Sequence, residues 1–223
     1  MSQFKRLDVA LRLRETGLLP IFYHPDVEIC KKVITACYNG GLRIIEYTNR
    51  DDFAHEKYAE LRKFINKNLP DMMFGAGTIV DAPTASLYIQ MGADFIVSPI
   101  LNEEMAKVCN RRKILWVPGC GSLSEISFAE ELGAEIVKAF PANTMGGPDF
   151  IKAVTAPCKW TSILVTGGAS PEEENMRSWF KAGATCLGMG SKLITKDVLN
   201  NSDFGLLEKQ IEQTLALINK IRN

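Results

Sequence analysis

Short apolar runs alternate with segments of helical period along the whole chain, and this alternation limits the fold more than any other feature. The runs are LLPIFYH (18–24), RIIEYTN (43–49), MMFGAGT (72–78), FIVSP (95–99), ILWVPG (114–119), EIVKAFPA (135–142), SILVTGG (162–168) and TCLGMGS (185–191). Most are apolar through several successive positions instead of at every second one, the mark of strands buried on both faces of a parallel sheet. Amphipathic stretches such as DVEICKKVITACYNGG and FAHEKYAELRKFINKNLP lie between them. Gly-Gly or Gly-Ala closes four such stretches just before a run, at 40–41, 92–93, 133–134 and 183–184. Glycine suits the left-handed position at a helix C-terminus, so this punctuation has a mechanical cause. Eight strand–helix units in 223 residues predict a (β/α)8 barrel, one catalytic domain over residues 1–223. An open doubly wound sheet is the alternative, though it commonly needs fewer strands. The leading QFKRLDVALRLRETG and trailing FGLLEKQIEQTLALINKIRN read as extra helices.

Composition removes several functional classes. Lysine plus arginine equals aspartate plus glutamate, 26 against 26, so no global field would recruit nucleic acid or an anionic membrane. Any anion site must be local. No apolar stretch approaches the ~18 residues of a membrane helix, and charges run through MSQFKRLDVALRLRETG, unlike a secretory signal. The six cysteines are scattered with no C-x-x-C pair and read as free thiols in a reducing, cytoplasmic setting. Two histidines are too few for a histidine-rich metal site. The three tryptophans, 116, 160 and 179, read as packing residues.

Polar residues stand out where the apolar runs end. Lys138 sits inside EIVKAFPA, where an ammonium has no water, and a lone buried charge is expensive. Side chains two apart on a strand share a face. Glu46, Thr48 and Arg50 therefore point one way and Ile45 and Tyr47 the other; Lys138 goes with Ile136 and Phe140, and Thr78 with Ala76 and Phe74. If these faces look inward, an amine, a carboxylate, a guanidinium and a hydroxyl converge near the C-terminal mouth, where barrel enzymes carry their chemistry. One reading of Glu46 and Lys138 is a buried ion pair, which leaves Arg50 as a surplus cation. The other gives each group a task. A desolvated lysine beside a cation can exist as a nucleophilic amine, arginine can grip a carboxylate, and glutamate can move protons.

VTGGAS (165–170) and GMGSKL (188–193) place Gly167, Gly168, Gly190 and Ser191 at two consecutive strand ends. Accessible backbone N–H groups there suit a phosphate. A single such loop could merely turn the chain; two in succession favour phosphate. GAGT (75–78) is a weaker signal, because glycines also let barrel strands crowd together.

Seven motifs in order, IIEYTNR, FGAGT, VSP, VPGCGSLSE, VKAFPA, VTGGAS and GMGSKL, make the chain resemble the class I aldolases that cleave 2-keto-3-deoxy-6-phosphogluconate (KDPG) and often 4-hydroxy-2-oxoglutarate (KHG). The resemblance runs from about residue 5 to residue 220. It implies that Lys138 is the Schiff-base lysine and Glu46 the proton-transferring carboxylate. It further implies that Arg50 and Thr78 hold the pyruvate carboxylate and that Gly167, Gly168, Gly190 and Ser191 bind phosphate. Phe140, Thr166 and Pro99 would line the substrate pocket, with Thr166 matching gluconate-type members where galactonate-type ones carry valine. A homotrimer, a small phosphorylated keto acid as substrate, a place in the Entner–Doudoroff pathway, and no metal or cofactor are implied as well. Three positions depart from the pattern: Ile100 replaces a glycine, which would narrow the mouth of the fourth strand; Ala169 replaces isoleucine or valine; and IFYH lacks an arginine common at the first strand's end. The rivals are an aldolase of the same family specific for 2-keto-3-deoxy-6-phosphogalactonate, another phosphate-binding barrel enzyme, an isomerase or synthase, and a non-catalytic sugar-phosphate binder.

Overall fold

All eight apolar runs form strands, and the fifth forms two. The computed structural model describes residues 2–222. Its strands are β1 (Leu18–Phe22), β2 (Ile44–Thr48), β3 (Met73–Gly77), β4 (Phe95–Val97), β5 (Leu115–Val117), β6 (Gly119–Cys120), β7 (Val137–Ala139), β8 (Ile163–Thr166) and β9 (Cys186–Met189). Pro118 divides β5 from β6, since proline has no N–H to give a ladder. β5 pairs with β4, and β6 pairs with β7 through Gly119 opposite Lys138. The strand order is β5-β4-β3-β2-β1-β9-β8-β7-β6, all neighbours parallel where the register is defined. Both edges of the sheet are thus halves of one run, and the sheet closes on itself into eight staves. A doubly wound sheet has no such closure.

The helices are α1 (Arg6–Thr16), α2 (Val27–Asn39), α3 (Ala54–Asn68), α4 (Ala82–Gln90), α5 (Glu103–Arg112), α6 (Leu123–Glu131), α7 (Pro148–Thr155), α8 (Glu173–Lys181), α9 (Lys196–Asn201) and α10 (Phe204–Arg222). Asp26, Asp81, Asn102, Ser122 and Thr195 cap α2, α4, α5, α6 and α9 by accepting from backbone N–H groups. Such a cap is worth about 1 kcal/mol. The glycines Gly41, Gly92, Gly133 and Gly183 all have φ between 88° and 106°, as the helix-end punctuation requires. No described helix is long and apolar enough to cross a membrane.

Two apolar clusters explain why the runs are apolar at successive positions. Leu19, Ile21, Ile44, Met73, Phe95, Val97, Leu115, Val117, Ile136, Leu164 and Cys186 fill the barrel. The alternate residues, Tyr47, Phe74, Ala76, Val137, Ala139 and Val165 among them, face the helices. Helix α1 closes the end where the strands begin, sending Val9, Ala10 and Leu13 into the inner cluster. Burial of Leu13 alone contributes roughly 1.5–3 kcal/mol. At the same end, Arg62 and Asp94 form a buried ion pair at 2.6 Å, and Asp94 also accepts from the N–H of Phe74 and Gln3. A buried pair is sustainable when its remaining oxygens are satisfied in this way.

The packing role expected of all three tryptophans holds for Trp116 and Trp179, which are buried, and fails for Trp160, which is 72% exposed. Trp160 only donates to Glu130 at the surface. The six cysteines are unpaired, and burial pushes the thiols of Cys30, Cys37, Cys109, Cys120 and Cys186 up to about 12.

Candidate active site

Glu46 lies mid-strand on β2, opposite Ile21 on β1 and Gly75 on β3, with the inward parity of Ile44. Lys138 lies at the centre of β7 with the parity of Ile136. Counted around the closed sheet, β2 is the second stave and β7 the sixth, so the two side chains face each other across the interior. Both are buried, Glu46 to 1% exposure and Lys138 to 6%.

Burial dominates their electrostatics. It lowers the Lys138 pKa, helped by the Arg50 cation and opposed by Glu46. It raises the Glu46 pKa against the combined pull of Lys138 and Arg50. Both groups therefore move toward the uncharged form, as desolvation demands. Among the described residues no ion-pair contact joins them, and Oε2 of Glu46 is buried without a hydrogen-bond partner. The buried-ion-pair reading is thus not what the chain builds. The Lys138 Nζ lies 4.6 Å from the ring centroid of Phe140, which shields its flank.

These opposing influences predict two opposite pH shifts. Arg50→Met removes a cation that lowers the amine, so the pH profile for trapping pyruvate on the lysine should move alkaline. Glu46→Gln removes an anion that raises it, so the profile should move acid. Borohydride trapping rates across pH measure both; movement in one common direction would refute this arrangement of charges.

Above the pair opens a cleft of about 440 Å³ whose lining includes Arg50, Thr166, Gly167, Gly168, Gly190 and Ser191. Six positions singled out in the sequence thereby come together. Gly167 and Gly168 adopt φ of 92° and 95°, and a Cβ on Gly168 would lie 2.8 Å from that of Asn143. No larger residue could form this turn so close to the 140–143 segment. Asn175 braces the loop, donating to the Gly168 carbonyl and accepting from the Ser170 N–H. The Gly190 carbonyl accepts from Leu193 and Ile194, a turn that leaves Ser191 exposed.

Glu46, Lys138 and Phe140 lie outside that lining, and so do Thr78 and Pro99. Strand parity grouped Thr78 with Ala76 and Phe74, yet both of those face the helices. Thr78 itself lies beyond β3 with φ of 60°, so the chain has left the strand and alternation no longer applies. Pro99 is half-buried, and a Cβ on Gly119 would overlap its carbonyl, so only glycine lets the end of β4 come this close to β6. Ile100 is 46% exposed and, like every residue of β4 and the segment after it, is absent from the cleft lining.

Three polar cleft residues escaped the sequence reading: Tyr23, Lys192 and Lys196. Tyr23 directly follows β1 and donates to Asp51 at 2.8 Å. The two lysines were legible in GSKLITK, directly after the last strand, had its cations been weighed with its glycines. A larger cavity, about 750 Å³, opens at the barrel's other end between α1 and the strand starts, remote from Lys138.

A closed parallel barrel carrying a desolvated lysine opposite a carboxylate, under a glycine-lined cleft, has the equipment of carbonyl chemistry through an amine. The chain belongs to the KDPG and KHG aldolase family, whose pattern residues 9–210 match. It is 27% identical over 207 residues to the 2-dehydro-3-deoxy-phosphogluconate aldolase of Haemophilus influenzae, covering 93% of this chain and 95% of that one. It is 28% identical over 193 residues to the KHG/KDPG aldolase of Escherichia coli K12, covering 86% and 87%. In structure it is similar to a KDPG aldolase from Legionella pneumophila, crystallised with pyruvate captured as a covalent carbinolamine, with TM-score 0.83, 22% identity and coverage of 92% and 97%.

Proposed function

We propose that this chain is a class I aldolase that cleaves KDPG to pyruvate and glyceraldehyde 3-phosphate, and KHG to pyruvate and glyoxylate. The observation that carries this is Lys138, desolvated toward its neutral form and set across the barrel from Glu46. Neutral Lys138 attacks the C2 ketone, and loss of water gives an iminium. Glu46, directly or through a water, takes the proton of the C4 hydroxyl. The C3–C4 bond breaks, its electron pair passes into the iminium, and the aldehyde leaves. Glu46 returns its proton to C3 of the enamine, and hydrolysis frees pyruvate and the amine. A coupled pyruvate-release assay on KDPG, its C4 epimer and KHG tests this; binding without release would leave a non-catalytic sugar-phosphate binder.

Arg50 and Thr78 hold the substrate carboxylate in this reading, and Gly167, Gly168, Gly190 and Ser191 hold the phosphate. Phe140, Thr166 and Pro99 remain the proposed pocket residues. Lys192 and Lys196 line the same cleft and supply the positive charge that the first strand's missing arginine would have given. Ser191→Asp sets a carboxylate against the phosphate. It should lower kcat/KM for KDPG by about 10- to 150-fold, the worth of a lost charge-assisted hydrogen bond of ~1.5–3 kcal/mol. KHG has no phosphate, so its cleavage should barely change. Arg50→Met should damage both reactions. Equal harm to both substrates from Ser191→Asp would place the phosphate elsewhere.

The homotrimer is part of this proposal and is supported by exposed apolar side chains on the third and fifth units, Val80 and Leu87 at α4 and Leu123 and Phe128 on α6. Sedimentation would measure it. A cytoplasmic location is proposed on the unpaired cysteines.

A further inference from the structure

Two successive inward positions of β3 carry no side chain, and each is filled by a neighbour leaning over from a different strand. A Cβ on Gly75 would overlap the ring of Phe95 from β4. A Cβ on Gly77 would overlap Oε1 of Glu46 from β2 and lie 2.9 Å from its Cγ. The carboxylate therefore rests where the side chain of residue 77 would stand, diagonally across from its own pairing partner Gly75. The inward residues next to it in the sheet are apolar: Ile44 precedes it on β2, Ile21 is its register partner on β1, and Phe95 leans over its other partner, Gly75. This accounts for an Oε2 with no hydrogen-bond partner and for burial as the first cause of the raised Glu46 pKa.

We propose that Gly77 is a positioning residue: its missing side chain is the seat that keeps the Glu46 carboxylate out of contact with Lys138 and aimed for proton transfer. The proposal rests on Glu46 as the proton-transfer group. Without the seat, the carboxylate must swing into the barrel, toward the two cations whose fields reach it, Lys138 and Arg50. A carboxylate drawn to Lys138 would favour the ammonium and so disable the nucleophile as well as misplace the base. The glycine is thus retained for the chemistry, in a strand interior where glycine otherwise weakens the sheet.

The test separates proton transfer from imine formation, using pyruvate. Exchange of the pyruvate methyl protons into deuterated water needs both; borohydride trapping needs only the imine. Gly77→Ala should lower exchange by about 100-fold, the cost of a displacement near 1 Å. Trapping should survive with its pH profile moved alkaline. Gly75→Ala, which strikes Phe95 instead, controls for packing damage and should leave the ratio of exchange to trapping near that of the parent. Glu46→Asp shortens the side chain by one carbon, so its carboxylate falls short of the seat. Adding Gly77→Ala to Glu46→Asp should therefore cost little further exchange. Should Gly77→Ala alone fail to fold, the double variant still decides: folding with the exchange rate of Glu46→Asp supports the seat, and failure to fold or a further large loss of exchange overturns it. The proposal is overturned if Gly77→Ala and Gly75→Ala shift the ratio alike, or if Gly77→Ala costs as much in the Glu46→Asp background as in the parent. Undiminished exchange in Glu46→Gln would instead overturn the role of Glu46 itself.

Discussion

Pyruvate and borohydride together should leave one stable adduct on this protein, on Lys138, and abolish turnover. Borohydride reduces the iminium to a secondary amine that cannot hydrolyse, so the mark stays where the covalent step occurred. The chain has many other lysines, but a solvated lysine is protonated at neutral pH and cannot compete with an amine that burial holds below its usual range. Lys138→Met should fall to the background rate, since the buried position across from Glu46 then carries no amine from which the iminium can form. The same variant should unfold at an unchanged or higher temperature. It replaces a group that is costly to bury with one that is not, at a position only 6% exposed. Lost activity with retained stability is the signature of a residue kept for chemistry, not for the fold. An adduct confined to surface lysines, or turnover by Lys138→Met, would sink the Schiff-base reading.

Much of this site was legible because strand parity is reliable within a strand. Ile44 and Ile136 face the barrel, so Glu46 and Lys138, two residues on, face it too. The helix-end glycines marked four of the unit boundaries for a similar reason: a left-handed backbone position narrows the choice of residue. Parity failed one residue past the strand. Thr78 has φ of 60°, and its expected companions Ala76 and Phe74 pack outward. Tertiary facts were the other blind spot. Nothing local in GAGT says that two glycines are seats for side chains from two different neighbouring strands, because that depends on the register of β2, β3 and β4. Nor does DFAHEKYAELRKF announce that Arg62 turns inward to meet Asp94, a partner 32 residues away. The split of the fifth run was readable in principle from Pro118, but only closure of the sheet shows why an interruption there is tolerated.

Glu46→Gln should keep the shape of the site and lose most of its rate. Glutamine is nearly isosteric, so the seat over Gly77 stays filled and the barrel interior keeps its packing. It cannot take the C4 hydroxyl proton, and loss of a positioned acid–base group costs ~100- to 10,000-fold in rate. Burial makes the parent carboxyl suited to both halves of the cycle. A Glu46 pKa raised by desolvation brings its protonated form closer in energy to the anion, so it can accept a proton during cleavage and return it to C3 afterwards. Imine formation should persist in the variant, because Lys138 loses an anion that had favoured its ammonium. The variant should therefore trap pyruvate with borohydride while scarcely exchanging the pyruvate methyl protons or cleaving KDPG. That split between trapping and exchange is what a proton-transfer role requires. If both were lost together, Glu46 would be shaping the site of imine formation instead; near-parental turnover would mean that another group carries the proton.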